Sequence, residues 1–416
     1  MSGKRPSPRR RLASALALAV SIAGPAAAYD IEPLCRVRLL GGQYFFRGEG
    51  ASLSGDVSGS FAPAVLVNGN WTLLPSLTSE YQGSKQIVDL VGAGSLFQQR
   101  MEHRGALKAV YAPEGSRWRW KPSASFGAEY LKETADERWG KGLFDARRFV
   151  AGIEAEYVYR EPYSVRAAFD YGFTHFSNYG SLESGAALDF QGQPLARELV
   201  GDRVLDAHTN MLSLGLSAPA GSRMSTDWTL ILRRRSFPSQ PLVDASGGLA
   251  TDDRQDLSTS LAGSLSLPME LAPRARLTAT LSAGFAETVS NQGSYDARSA
   301  RFLPGFYDFL EFNAGPGLTL SLGDEREPVT VSMAGGYSHR RYPKRPAQDA
   351  AGTYGSEMLR QRTWTFSTTM SYPMAQRLRM LLSLRTGRAS SNQGFEQFYS
   401  YNYGATDYRM GFVWEY

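Results

Sequence analysis

The chain closes on Thr406-Asp-Tyr-Arg-Met-Gly-Phe-Val-Trp-Glu-Tyr416, eleven residues that alternate without a break. Tyr408, Met410, Phe412, Trp414 and Tyr416 share one parity; Asp407, Arg409, Gly411, Val413 and Glu415 share the other. In a strand, successive side chains point to opposite faces, so one face here is apolar and strongly aromatic. Left bare in water, such a strand would offer an adhesive edge. In a membrane barrel it closes the sheet, and its aromatic face meets lipid. The tail therefore predicts a strand of a transmembrane β-barrel.

The same period of two recurs upstream from about residue 38. Trp71, Leu73, Leu77 and Tyr81 share parity, as do Trp118, Trp120, Phe126 and Tyr130. Phe149, Ile153, Tyr157 and Tyr159 follow, then Val165, Phe169, Tyr171 and Phe173. Later sets include Leu212, Leu214 and Leu216; Leu257, Leu261 and Leu265; and Trp364, Phe366 and Met370. Each segment is long enough to cross a bilayer at the usual tilt, which takes roughly 9–11 residues.

Connections alternate in length. Tight, turn-like links fall at 112–116, 160–162, 219–222, 271–273, 323–325 and 373–375. Long segments fall at about 82–97, 132–147, 176–206, 237–254, 288–307, 342–360 and 390–404. Short turns on one side and long loops on the other are the pattern of outer-membrane barrels, with the short turns periplasmic. Here the chain resembles the Gram-negative, porin-like outer-membrane β-barrel proteins, and its final strand resembles their barrel-assembly recognition signal (Tyr408, Met410, Phe412, Trp414, Tyr416). About fifteen segments are clear, and single-chain bacterial barrels use an even number. A further strand over residues 36–47, turning through Gly48-Glu-Gly50 into 51–61, predicts an all-β, antiparallel up-and-down barrel of about 16 strands, with 14 as the fallback.

The N-terminus reads as a cleavable secretory signal over residues 1–28. Lys4, Arg5 and Arg9-Arg-Arg11 are its basic start, residues 12–24 its short apolar run, and Pro25-Ala-Ala-Ala28 its cleavage site. The arginines faintly suggest a twin-arginine signal, but a barrel is exported unfolded, which favours the general secretory route. Residues 29–35 are expected as a short periplasmic segment and 36–416 as the barrel. Too few residues precede the first strand for the plug of a TonB-dependent receptor. No run of about 18 apolar residues marks a membrane helix. A mean hydropathy of −0.31 suits a barrel in which only alternate residues meet lipid, and 42 glycines and 12% aromatic residues point the same way. The single cysteine, Cys35, forms no intrachain disulfide, in keeping with an oxidising periplasm.

Carrying the parity of the last strand through each segment sorts the charges. Inward basic residues are Arg100, Arg104, Lys108, Arg117, Arg119, Lys121, Arg166, Arg233, Arg235, Arg274, Arg276, Arg340, Arg377, Arg379 and Arg385. Inward acids include Glu102, Glu129, Glu154, Glu156, Asp170 and Asp227. The interior is thus net basic, in line with a formal net charge of +5. Rings of basic residues favour anions in channels. The competing reading pairs these arginines with interior carboxylates or lets them snorkel from the rim, above all Arg274, Arg276, Arg377 and Arg379 beside the tight turns. Arg233-Arg-Arg235 is expected near the extracellular end, where it steers anions or bridges lipopolysaccharide phosphates.

His103, His175, His208 and His339 all take the outward parity near the extracellular ends. Girdle polarity explains them, with contact to outer-leaflet phosphate as the alternative. No nucleophile, base and orienting group converge in the sequence, so no enzyme activity, metal or cofactor is expected. Asp136 and Glu137 in the 132–145 loop form an acidic pair that either binds a divalent cation or belongs to a plain surface loop. In porins one long loop commonly folds inward, and the resemblance makes 176–206 the candidate constriction, through Glu183, Asp189, Arg197, Glu198 and Arg203.

Three functions remain open: a channel for small solutes, a transporter of hydrophobic molecules or secretion helper, and a filled structural or surface-interaction barrel. The expected partners are outer-membrane lipid and lipopolysaccharide, the barrel-assembly machinery, periplasmic chaperones and small solutes, with no nucleic acid. Cargo and oligomeric state are left open.

Overall fold

The computed structural model describes residues 30–181, 189–190, 193–194, 197–296, 298–396 and 399–416. The expected signal at residues 1–28 lies outside them. Sixteen strands form one closed antiparallel barrel, each paired to its sequence neighbours. They are β1 (Cys35–Phe46), β2 (Ser52–Phe61), β3 (Trp71–Gly83), β4 (Gln99–Tyr111), β5 (Trp118–Lys132) and β6 (Ala146–Arg160). Next come β7 (Tyr163–Phe176), β8 (Ala207–Ala220), β9 (Met224–Val243), β10 (Leu249–Ala272) and β11 (Ala275–Ser290). The last are β12 (Phe309–Leu322), β13 (Val329–Gln348), β14 (Tyr354–Ala375), β15 (Leu378–Ser391) and β16 (Tyr403–Glu415). The expected N-terminal hairpin is present as β1 and β2, which makes the count even.

Closure runs through β1 and β16, in register from Arg36 opposite Glu415 to Phe46 opposite Ala405. The Tyr416 amide donates to the Cys35 carbonyl at 2.8 Å, and the Cys35 amide donates back at 3.0 Å. Two glycines make the seam possible. A Cβ at Gly42 would collide with the Tyr408 carbonyl, and one at Gly411 with the Leu39 carbonyl. Before β1, Asp30–Glu32 pairs with Ala64–Asn68 in the turn between β2 and β3.

Alternation decides what the wall shows on each side. Leu39, Phe126, Ile153, Leu214, Leu281, Met333 and Met410 face outward and are exposed. Aromatic pairs rim this apolar band. Trp71 with Tyr111 (4.7 Å between ring centres), Trp118 with Tyr157 (5.0 Å) and Trp414 with Tyr416 (6.2 Å) mark the end bearing the tight turns. Tyr337 with Trp364 (4.4 Å) and Phe173 with His208 (4.8 Å) mark the other end. An apolar belt between two aromatic girdles is the outer face of a membrane barrel. The tail residues Tyr408, Met410, Phe412, Trp414 and Tyr416 all lie on it, exposed.

Two expected loops prove to be paired strand. Segments 237–254 and 342–360 are the tall ends of the β9–β10 and β13–β14 hairpins, turning at 244–248 and 349–353. Pro238, Pro241, Pro343 and Pro346 break the alternation there and mimic a loop in sequence. The structure absorbs them in register shifts between Phe237 and Val243 and between Arg341 and Gln348.

Candidate functional site

The inside of the wall is divided by chemistry. An arc from β15 through the seam to β7 carries long charged side chains. Below the mouth, where Arg254, Asp256, Glu311 and Arg340 lie, the arc from β10 to β14 carries short hydroxyls, among them Ser260, Ser264, Thr280, Ser282, Thr319, Ser332, Thr365 and Ser367.

Alternation brings the charges together because inward residues on adjacent strands lie directly opposite each other. On β4–β6, Arg100 pairs with Glu102 (2.6 Å) and Glu129 (2.7 Å), and Arg148 also reaches Glu129 (2.8 Å). Lower down, Lys121 bridges Glu154 (2.7 Å) and Glu156 (2.8 Å), with Lys108 and Arg119 each 3.8 Å from one of those carboxylates. Across the seam, Asp56 accepts from Arg38 (2.9 Å) and Arg409 (3.1 Å), and Arg409 also holds Asp407 (2.7 Å). On β9–β10, Asp256 lies 2.9 Å from Arg254 and 3.6 Å from Arg235. Much of the expected basic lining is therefore paired.

Arg379, beside a tight turn, has no carboxylate partner among the described residues and donates to the Ser371 hydroxyl (2.6 Å) and the Pro328 carbonyl (2.5 Å). Four further inward arginines stand apart. Among the described residues, no carboxylate lies within salt-bridge distance (4.0 Å) of Arg104, Arg166, Arg233 or Arg385. Arg166 donates to the Ser217 hydroxyl at 3.4 Å, and its Nε is buried without a partner. These four sit on β4, β7, β9 and β15, so they are spread around the wall.

Three expected lining residues are elsewhere. Arg117 lies in the turn before β5; its guanidinium packs over Tyr159 (5.4 Å) and donates to the Tyr157 hydroxyl (3.4 Å), both in the outward girdle. Parity fails there because a turn residue does not obey the strand period. Arg377 likewise lies over the Tyr416 ring at 3.9 Å. Arg276 pairs with Glu325 at the periplasmic rim (2.5 Å).

The extracellular mouth is covered by folded loops. A small hairpin, Gln86–Asp89 with Gly94–Phe97, leaves the wall between β3 and β4. It reaches β13, six strands away through the seam (β14, β15, β16, β1, β2, β3). Arg340 on β13 clasps its Asp89 at 2.7 Å and also holds Glu311 at 2.6 Å. Arg345 donates to the Gly92 carbonyl at 2.7 Å, and the Ser400 amide donates to the Gly94 carbonyl at 2.8 Å. A Cβ at Gly94 would meet the Ser400 carbonyl at 2.7 Å, so glycine permits that approach.

The hairpin packs into a small apolar core formed by Val91, Phe97, Leu131, Phe144, Phe176, Tyr179, Leu199, Val204 and Leu205. Beside it, Glu198 accepts from Tyr307 (2.9 Å), whose ring lies 3.9 Å from the Arg254 guanidinium. Burial holds the Glu198 carboxyl above the ordinary glutamate range. Under the hairpin lies a cavity of about 170 Å³ lined by Asp89, Glu311, Arg340, Gln361 and Tyr401, among others.

Among the described residues, the 86–97 hairpin crosses the mouth and the described part of the 176–206 loop joins it, through Tyr179, Leu199, Val204 and Leu205 in the apolar core. Glu198 packs into the cap and Arg203 pairs with Asp206 (3.1 Å); neither forms a salt bridge with a wall arginine. Glu183 and the side chains of Asp189 and Arg197 lie outside the described residues.

The histidines take their expected parity, but three find partners that the sequence did not reveal. His103 is 2.9 Å from the Ser79 hydroxyl, His208 is 2.6 Å from the Tyr171 hydroxyl, and His175 is 2.7 Å from Asp206. The three pairs lie on different strands and do not converge. Glu137 accepts from the Glu133 amide at 2.7 Å, and no group of three metal-ligating side chains occurs among the described residues.

No protein-family model matches the sequence, and a comparison with curated proteins finds no match. Among solved structures, OmpT of Vibrio cholerae is similar at 10% identity and a TM-score of 0.45, over 95% of this chain and 100% of that one. OccAB1 of Acinetobacter baumannii is similar at 9% and 0.45, over 95% and 98%. OpdK of Pseudomonas aeruginosa is similar at 12% and 0.43, over 92% and 99%. The closed wall, its apolar belt and its two aromatic girdles make this chain a sixteen-stranded antiparallel β-barrel with the outer face of a membrane barrel.

Proposed function

We propose that the barrel is a porin-like channel for small solutes with a preference for anions. The observation that carries this reading is the lumenal set Arg104, Arg166, Arg233 and Arg385, which no carboxylate neutralises within 4.0 Å among the described residues. Fixed positive charge on a wall enriches anions and repels cations. A ring of 16 strands is wide enough to hold water. The hydroxyl arc supplies weak, replaceable hydrogen bonds opposite the charges, which suits passage better than tight binding. Reversal potentials across a planar bilayer under a salt gradient test the reading: a shift towards the anion potential supports it, and a cation-directed potential overturns it.

One observation favours a second reading, a filled barrel whose work is done at the surface. The cap has its own apolar core and is tied to the opposite wall through Asp89 and Arg340. Conductance separates the two: a filled barrel passes no ions even when the hairpin is removed.

A further inference from the structure

Just beyond the Tyr337–Trp364 girdle, the outward face of β13, β14 and β15 carries His339, Arg341, Arg360, Arg362 and Arg388. Arg341 lies directly opposite Arg360 in the register, and His339 directly opposite Arg362. Arg388 lies opposite Trp364. All four arginines are exposed. Like charges directly opposite on neighbouring strands destabilise a sheet, and here the sequence places two arginines face to face. Among the described residues, the one carboxylate within salt-bridge distance of these arginines is Glu357, 3.4 Å from Arg360. Glu287, outward on β11, is separated from Arg341 by Leu310 in the register, roughly 10 Å at the usual strand spacing. The patch therefore holds more positive charge than the protein compensates.

We propose that this patch binds the phosphorylated head group of an outer-leaflet lipopolysaccharide. Three features choose this occupant. The patch lies on the lipid side of the wall, on the same parity as Trp364. It sits on the far side of the extracellular girdle, at the level of lipid head groups. Its arginines present planar forks that suit phosphate oxygens. Its extent, three strands wide and three rungs tall with Arg388 beside Trp364, is roughly 10 by 14 Å, the scale of a phosphorylated disaccharide head group. A phosphate between Arg341 and Arg360 turns their mutual repulsion into shared attraction. Trp364 and Tyr337 then flank the start of the acyl chains.

The test uses the full barrel in detergent, with bis-phosphorylated lipid A as probe and native mass spectrometry and thermal unfolding as readouts. Wild type is expected to retain the probe, while the variant Arg341→Gln/Arg360→Gln/Arg362→Gln/Arg388→Gln loses at least ten-fold in affinity. If that variant fails to fold, the paired variants Arg341→Gln/Arg360→Gln and Arg362→Gln/Arg388→Gln are each expected to lose several-fold. Dephosphorylated lipid and millimolar inorganic phosphate are expected to bind far more weakly. Equal binding by wild type and the neutralised barrels overturns the proposal. So does dephosphorylated lipid that binds as well as the probe, or inorganic phosphate that reproduces its stabilisation.

Discussion

In the proposed channel, Arg104, Arg166, Arg233 and Arg385 are the residues that set anion preference, because most other inward charges are spent on one another. Replacing Arg104 and Arg385 by glutamate is expected to move the reversal potential towards the cation side, by an amount that shrinks as salt rises and screening shortens its reach. Arg117→Gln is expected to leave ion selectivity unchanged, since that guanidinium lies on the outer girdle. Outside the membrane, burial and the neighbouring Glu137 push the Glu133 carboxyl from 4.5 up to about 7. A raised carboxyl binds its proton more tightly in the folded loop. Its stabilising contribution is therefore complete below pH 4.5 and declines as pH rises through about 7. Amide hydrogen exchange in the 133–145 loop, corrected for the intrinsic rate, should reveal more opening at pH 8 than at pH 5. Glu133→Gln should flatten that dependence.

At the scale of the element, alternation explains the strands and also why some were hard to see. β5 keeps Trp118, Trp120, Phe126 and Tyr130 on one parity, and β16 keeps Tyr408, Met410, Phe412 and Trp414 on one parity, so both read plainly as strands. The tops of β9 and β13 carry prolines that hide their pairing, which appears only when the partner strand supplies a register to shift against. The 86–97 hairpin was the least legible element. Its strands are four residues each, below the length at which a period can be read, and its hold on β13 depends on closure of the whole ring. Arg340→Gln is expected to release Asp89 and loosen the cap, so channel recordings should show larger or more frequent openings than wild type. If the cap instead stays closed, Arg345 and the apolar core hold it alone.

Across the whole molecule, the tail and the turns between strands were enough to place the wall and to call for an added N-terminal hairpin. The seam itself was not legible, because Gly42 and Gly411 reveal their role only once β1 meets β16. Gly411→Val puts a side chain into the Leu39 carbonyl and is expected to cost about 1–3 kcal/mol, seen as a lower melting temperature of the folded barrel. The cargo was not legible either, since a lumen's selectivity comes from charges that pair across strands distant in sequence. The most direct measurement is therefore the current through single purified barrels in a planar bilayer under a ten-fold potassium chloride gradient, for wild type and for a barrel lacking residues 86–97. An anion-preferring channel capped by the hairpin predicts discrete openings with an anion-directed reversal potential, and a larger conductance once the hairpin is gone. Silence from both barrels, or a cation-directed potential, would contradict it.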